Sequence, residues 1–338
     1  MVLDISWNET TNQLGHQGVR PIHLSAIIFG SFNFILNGLV CHAFIKTPSL
    51  LSKHHLYLFY AFSVTNFFTG IFTLPTYFNL ILHDNLNCPR WTILVGSSFE
   101  IALDRIRHIL TVAIACERIY ALFKPGDFYF VNQKLLALRI SVFAIVWSLF
   151  DAIFLIFEDG LFTIRIHCVT TSASGPLFHT YFLLSTIFFG ILLTVCYFVF
   201  ICKLYVLKGT QIINKRSQFK DNFRQVNSLT VMVILMVVIF NVLPSALYLY
   251  DVKKGKVHFM KWGPIVTIGY HCYGILSVFF YNGKHKDIKA AMNKNYVVRK
   301  FINCEASLSQ HSVFGFKHRK TVPSFASIAE PHGEEVFL

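Results

Sequence analysis

Phe178 to Cys202 reads FHTYFLLSTIFFGILLTVCYFVFIC, a run of 25 residues without lysine, arginine, aspartate or glutamate. A helix rising ~1.5 Å per residue covers ~37 Å over that length, more than the ~30 Å hydrocarbon core of a bilayer. The same criterion places four spans before it, at Ile22–Phe44, Leu56–Leu82, Trp91–Phe123 and Leu135–Phe157. Two follow it, at Ser228–Tyr250 and Trp262–Tyr281. The expected fold is an all-α membrane protein, a bundle of seven transmembrane helices.

Composition agrees. Hydrophobic residues make up 54% of the 338, charged residues only 14%, and mean hydropathy is +0.53. A soluble domain carries ~25% charged residues, so this chain lacks the polar surface to coat a water-facing globule. The formal charge of +13 is no sign of a nucleic-acid partner, because the basic residues gather in particular loops. With an outside N-terminus, twenty lysines and arginines fall on the cytoplasmic side and seven on the outer side. That asymmetry sets the orientation, against the one dissenting loop that holds Lys253, Lys254, Lys256 and Lys261. Residues 1–21 are expected outside, 22–283 in the helical bundle and 297–338 in a disordered cytoplasmic tail. Between them, 284–296 spaces Ile288, Ala291, Met292 and Tyr296 along one helical face among lysines. This suits a short amphipathic helix on the inner lipid surface. Met1–Arg20 has no apolar core of signal-peptide length, so the first span is expected to act as its own insertion signal.

Two further features bear on the outer side. Asn8-Glu9-Thr10 is a glycosylation acceptor tripeptide. Cys88 and Cys168 are the only cysteines assigned to outer loops, where an oxidising compartment favours a disulfide over two free thiols.

The third span is the unusual one. It holds Glu100, Asp104, Arg105, Arg107, His108, Glu117 and Arg118, and ionisable groups in lipid are costly enough to mark function or a paired network. At ~100° per residue from Glu100, Asp104 falls near ~40°, Arg107 near ~−20°, His108 near ~80° and Arg118 near ~0°. These five share a stripe that must face the bundle interior. Arg105 falls near ~140° and needs another partner, for which Asp151 on the fourth span is a candidate. The upper cluster reads either as the wall of a ligand cavity opening outward or as an ionic network that satisfies itself; the two are compatible. Tyr248, Tyr270, His271 and Tyr273 on the last two spans could complete such a cavity, and Pro75 and Pro244 free backbone carbonyls where helices kink.

The inner end of the third span reads Cys116-Glu117-Arg118-Ile119-Tyr120-Ala121, with Pro125 after it. This resembles the acid–arginine motif of serpentine receptors. With Trp147 in the fourth span and Pro244 in the sixth, the chain resembles a G-protein-coupled receptor, and more narrowly a nematode chemoreceptor. The run Cys168-Val169-Thr170-Thr171-Ser172 is similar to serpentine receptor class BC. The resemblance implies a small-molecule chemical ligand, a heterotrimeric G-protein partner, no cofactor or metal, and a plasma-membrane site in a sensory neuron. It gives Arg118 the role of holding the resting state and then engaging the G protein, with Glu117 as its carboxylate neighbour. The chain departs from rhodopsin-like receptors at Ile119, in lacking an acid in the second span, a tryptophan near Pro244 and an Asn-Pro-x-x-Tyr in the seventh.

A ligand-gated channel or transporter using the charged stripe is the alternative function, weakened by the absence of internal repeats. An enzyme or a light sensor is disfavoured: there is no HExxH, and no lysine inside the seventh span for a retinal Schiff base. Cys304 and the hydroxyls from Ser307 to Ser327 are candidate modification sites in the tail. Ligand identity and dimerisation are not legible.

Overall fold

The computed structural model describes residues 19–51, 56–85, 87–165, 168, 170–211, 232–254, 259, 264–284 and 286–294. Seven long helices dominate these residues. They are α1 (Pro21–Lys46), α2 (Tyr57–Leu82), α3 (Arg90–Phe123), α4 (Gln133–Phe157), α5 (Pro176–Gln211), α6 (232–254) and α7 (Ile265–Lys284). A shorter helix, α8 (Lys286–Lys294), follows α7. The described part of each expected span falls on a helix, and the helices run past several of the expected ends, most of all α5.

By length and composition, five of the described helices are apolar enough to cross a membrane: α1, α2, α4, Pro176–Val206 of α5 and Met232–Asp251 of α6. In α3 the charges interrupt the apolar character, and the apolar part of α7, Ile265–Phe280, is shorter. The outward faces carry large exposed apolar side chains, such as Leu138, Val142, Phe143, Val146, Phe150 and Ile153 on α4. In water such a face would aggregate; against lipid it needs no cover.

Local chemistry explains the helix limits. Pro21 opens α1, where a missing N–H costs nothing, and Pro48 follows its end. The Asn132 side chain caps α4 by accepting from the Leu135 N–H at 3.1 Å. After α2 the chain turns through Asp84, Asn85 and Asn87, all with positive φ, a conformation that aspartate and asparagine tolerate better than other side chains.

Small residues decide how closely the helices pack. A Cβ on Gly70 of α2 would lie 2.7 Å from the Gly30 carbonyl oxygen of α1, so these backbones meet without side chains between them. Helix α3 sits centrally, packed on α2, α4 and α5. An inner apolar core joins Phe44, Phe59, Phe62, Leu110, Tyr197 and Met236. A second, outer core surrounds Cys88 and Cys168 with Tyr77, Leu80, Ile93 and Phe178. On α8, Ile288, Ala291 and Met292 form the buried face as spaced in the sequence, but it packs into the inner core beside Phe44. Tyr296 lies outside the described residues, as does the tail from 295.

Helix α6 is not continuous α-helix. Val238–Val242 forms a π-helical turn, directly before Leu243 and Pro244. The extra residue pushes the Phe240 carbonyl toward α7, where a Cβ on Gly269 would overlap it. On the other side, a Cβ on Gly190 of α5 would overlap Val242. Two glycines therefore make room for the bulge.

Candidate functional site

At the Cys88 end of the bundle, the described part of the connection between α4 and α5 packs on α3. Cys88 and Cys168 are joined by a disulfide, with Cα atoms 5.4 Å apart. Beside it β1 (Cys88–Pro89) pairs antiparallel with β2 (Ile164–Arg165). Arg90, an outer-loop cation by sequence, is fully buried. It donates to the carbonyls of Leu155 and Asp159 at 2.5 Å, Ile156 at 3.2 Å and Ala173 at 2.8 Å. A guanidinium thus supplies the donors that the last turn of α4 lacks. Glu158 does the converse for α5, accepting from the Leu177 and Phe178 N–H groups at 2.8 and 3.0 Å. Asp159 pairs with Arg165. Burial raises the Asp159 carboxyl pKa, but the Gly160 N–H and Arg165 outweigh that and hold it below its ordinary range.

Beneath this cover lies the ionic column of α3. Glu100 is buried, and the hydroxyls of Thr170 in the cover and Thr267 on α7 bond its carboxylate. One turn lower, Asp104 pairs with Arg107, whose Nη1 donates to the Tyr270 carbonyl at 3.0 Å. The Arg107 guanidinium lies 4.3 Å from the Tyr270 ring centroid. His108 Nδ1 sits 2.8 Å from the Asp104 carbonyl oxygen. The helical angles correctly put these groups inside: Glu100, Asp104, Arg107 and His108 are all buried.

Arg105 points the other way and finds Asp151, its expected candidate, at 2.5 Å with both side chains fully buried. Its Nη2 donates to the Ser185 hydroxyl at 2.6 Å. The Tyr181 hydroxyl donates to the second Asp151 oxygen at 2.8 Å, and the Trp147 indole N–H donates to that hydroxyl at 3.1 Å. The rings of Trp147, Tyr181, Phe182 and Phe189 all lie within 6.0 Å of the guanidinium carbon. This is a closed structural pair.

A small void, with room for about one water, lies directly below the column. From α3 it is bordered by Arg107, His108, Thr111 and Val112, and from α5 by Phe189, Gly190 and Leu193. Val237 and Asn241 of α6 and Tyr273 of α7 complete it. Of the candidate ligand residues, Arg107 and His108 therefore border this space. Glu100 and Asp104 lie above it, and Tyr270 adjoins Arg107 without lining it. Tyr248 is buried at the start of α7, against the Ile265 backbone. His271 faces α1, where Asn33 Nδ2 lies 3.4 Å from its Nδ1. There a separate polar knot forms, in which Asn33 Nδ2 donates to the Asn66 carbonyl at 3.0 Å and Asn37 Nδ2 to the Asn33 side-chain oxygen at 2.9 Å.

Sequence reading missed Asn241, Thr111 and Phe189. The signal for Asn241 was an amide three residues before Pro244, but the π turn that aims it inward leaves no sequence mark of its own. It also missed the roles of Arg90 and Glu158. Glu117 and Arg118 are half-buried at the inner end of α3. Pro75 lies inside α2, and on α6 the helical irregularity precedes Pro244 by one turn. Asn8, Cys304 and the tail hydroxyls are outside the described residues. Among the described residues no group of three or more His, Cys, Asp or Glu is placed to hold a metal.

A family model described as serpentine type 7TM GPCR chemoreceptor Srbc matches residues 19–276. No curated protein matches the chain.

Proposed function

We propose a receptor mechanism from one premise: the chain belongs to the Srbc family of serpentine type 7TM GPCR chemoreceptors. In this reading all seven long helices cross the plasma membrane, with the N-terminus outside and α8 at the cytoplasmic surface against lipid headgroups. The twenty-to-seven distribution of basic residues supports that orientation, and so does a disulfide at the opposite helix ends from Lys46 and Lys124. Helix α3 tolerates the bilayer because its charges are paired and face inward.

A small external molecule occupies the space among α3, α5, α6 and α7 and favours one helix arrangement over another, the only way a ligand can shift such an equilibrium. The receptor then signals through a heterotrimeric G protein at the inner surface. The observation that carries this reading is the buried polar cluster of Arg107, His108 and Asn241 around a water-sized void at the foot of the ionic column. Arg107 of that cluster and the motif arginine Arg118 lie on the same helix, ~17 Å apart along its axis. Arg118, half-buried at the membrane edge, can exchange an intramolecular partner for a cytoplasmic one. The charged stripe is a poor ion pathway, since Arg105–Asp151 and Asp104–Arg107 bind each other.

The test is a screen of volatile and water-soluble compounds on cells expressing the full chain with a promiscuous G protein. A concentration-dependent response is expected in the wild type, and Arg118→Ala should abolish it with surface expression kept. Full signalling by Arg118→Ala would reject the role given to that residue. Ligand-evoked current in cells lacking G-protein function would reject the mechanism.

A further inference from the structure

We infer that the void below the ionic column is a buried-water site, in which one water molecule joins Arg107 and His108 of α3 to Asn241 in the π turn of α6. The site stands on its own chemistry; only its consequence for a ligand rests on the receptor reading.

Size comes first. The void has room for about one water and for no larger group. A space that small stays dry when its walls are apolar and fills when two to four polar groups converge on it. Val112, Phe189, Leu193 and Val237 supply an apolar surround. Three polar atoms on the bordering residues, however, have no hydrogen-bond partner among the described residues. They are Arg107 Nε, His108 Nε2 and Asn241 Oδ1, on residues 1%, 6% and 3% exposed. Each such atom is costly to leave unmade.

Their donor and acceptor roles match water. His108 Nδ1 lies 2.8 Å from the Asp104 carbonyl oxygen, which can only accept, so Nδ1 carries the proton. The charges of Arg105 and Arg107 beside it oppose a second proton on the ring. In the neutral ring Nε2 is then an acceptor. Asn241 Oδ1 is a second acceptor, and the Arg107 Nε–H is a donor. Thr111 adds no donor, because its hydroxyl proton goes to the Arg107 carbonyl at 2.7 Å. Two acceptors and one donor complement a water that gives both protons and takes one. That makes three bonds, the usual number for a buried water. A cation would face the guanidinium, and an anion would face the two acceptors.

The site depends on the π turn. Asn241 is the fourth of its five residues. Gly190 of α5, where a Cβ would overlap Val242, lets that turn lie close. The water thus ties the column of α3 to the irregular winding of α6. In the receptor reading, a ligand entering among α3, α5, α6 and α7 has to displace this water or bond to it.

The experiment is hydroxyl-radical footprinting by X-ray radiolysis of the full chain in lipid nanodiscs, where radicals made from water mark only the side chains beside it. His108, Phe189 and Tyr273 are buried and border the void. They should be oxidised, with the fully buried Phe44 as the dry reference. After rapid mixing with H2(18)O, the label should enter them later than it enters the exposed Trp91. Asn241→Leu, of similar size, should abolish the marking. Marking no greater than that of Phe44, label entry as fast as at Trp91, or unchanged marking in Asn241→Leu overturns the inference. A second measurement asks whether one water serves both helices. His108→Phe and Asn241→Leu should each lower the melting midpoint, and the double variant should fall no further than the worse single, because either loss releases the water. Losses that add would overturn the shared water. If a variant does not fold, the wild-type marking and label delay decide alone. Neither readout needs a ligand or a G protein. Marking without a G-protein response to any compound keeps the water site and rejects the receptor reading; a response without marking does the reverse.

Discussion

Arg105 shows how a membrane helix carries a charge without using it. Its Nε bonds Asp151 and its Nη2 bonds Ser185. Nη1 has no oxygen partner, and the guanidinium is instead ringed by four aromatic faces. Removing one member of such a pair strands the other, typically at ~3–5 kcal/mol, whereas removing both for apolar residues of similar volume is often neutral. Arg105→Met and Asp151→Leu should therefore each lower the melting midpoint of the detergent-solubilised protein sharply, and the double variant should recover most of the loss. A double variant as unstable as the sum of the singles would show that the residues act separately. The pairing was legible from angles alone, because 100° per residue turned Arg105 away from the stripe and left Asp151 as the only acid on α4. The identity of the cavity walls was not. Tyr248 and His271 are polar aromatic residues on the expected spans, yet one faces the start of α7 and the other faces α1. Sequence gives no rotation of one helix against the next.

At the scale of elements, the outer cover is held in three ways: the disulfide, the β1–β2 pairing, and Arg90 reaching across to the end of α4. The disulfide closes a separation of 80 residues, worth about 4–5 kcal/mol in the chain-entropy view. Cys88→Ser and Cys168→Ser should reduce surface delivery to the same extent, and the double variant no further. Unequal losses, measured by antibody on intact cells, would mean that one cysteine has a role outside the bond. The cysteine pair was readable because compartment and position left few alternatives. The cover's polar clasp was not, since Arg90 reads as any loop cation until α4 presents bare carbonyls to it. The π turn was likewise invisible: Val-Ile-Phe-Asn-Val has the apolar character of an ordinary buried helix.

For the whole molecule, composition and loop charge carry most of the reading. An apolar chain of this length with its basic residues gathered mostly in alternate loops has few folds open to it, and the family match agrees with the one expected. The proposed topology predicts that an N-terminal epitope tag is reached by antibody on intact cells and a C-terminal tag only after permeabilisation. Both tags on one side would overturn it. The π turn adds something that a hydropathy profile cannot hold. One surplus residue in a single helical winding is a stored angle: drawing it back into regular α-helix would twist the part of α6 before it by ~100° against the part after it. The twist would swing Asn241 out of the space it borders and release the Phe240 carbonyl from its seat on Gly269. A hydrogen bond that held that amide in place would therefore act on α6 as a brake on a shaft, setting which way the start of the helix faces.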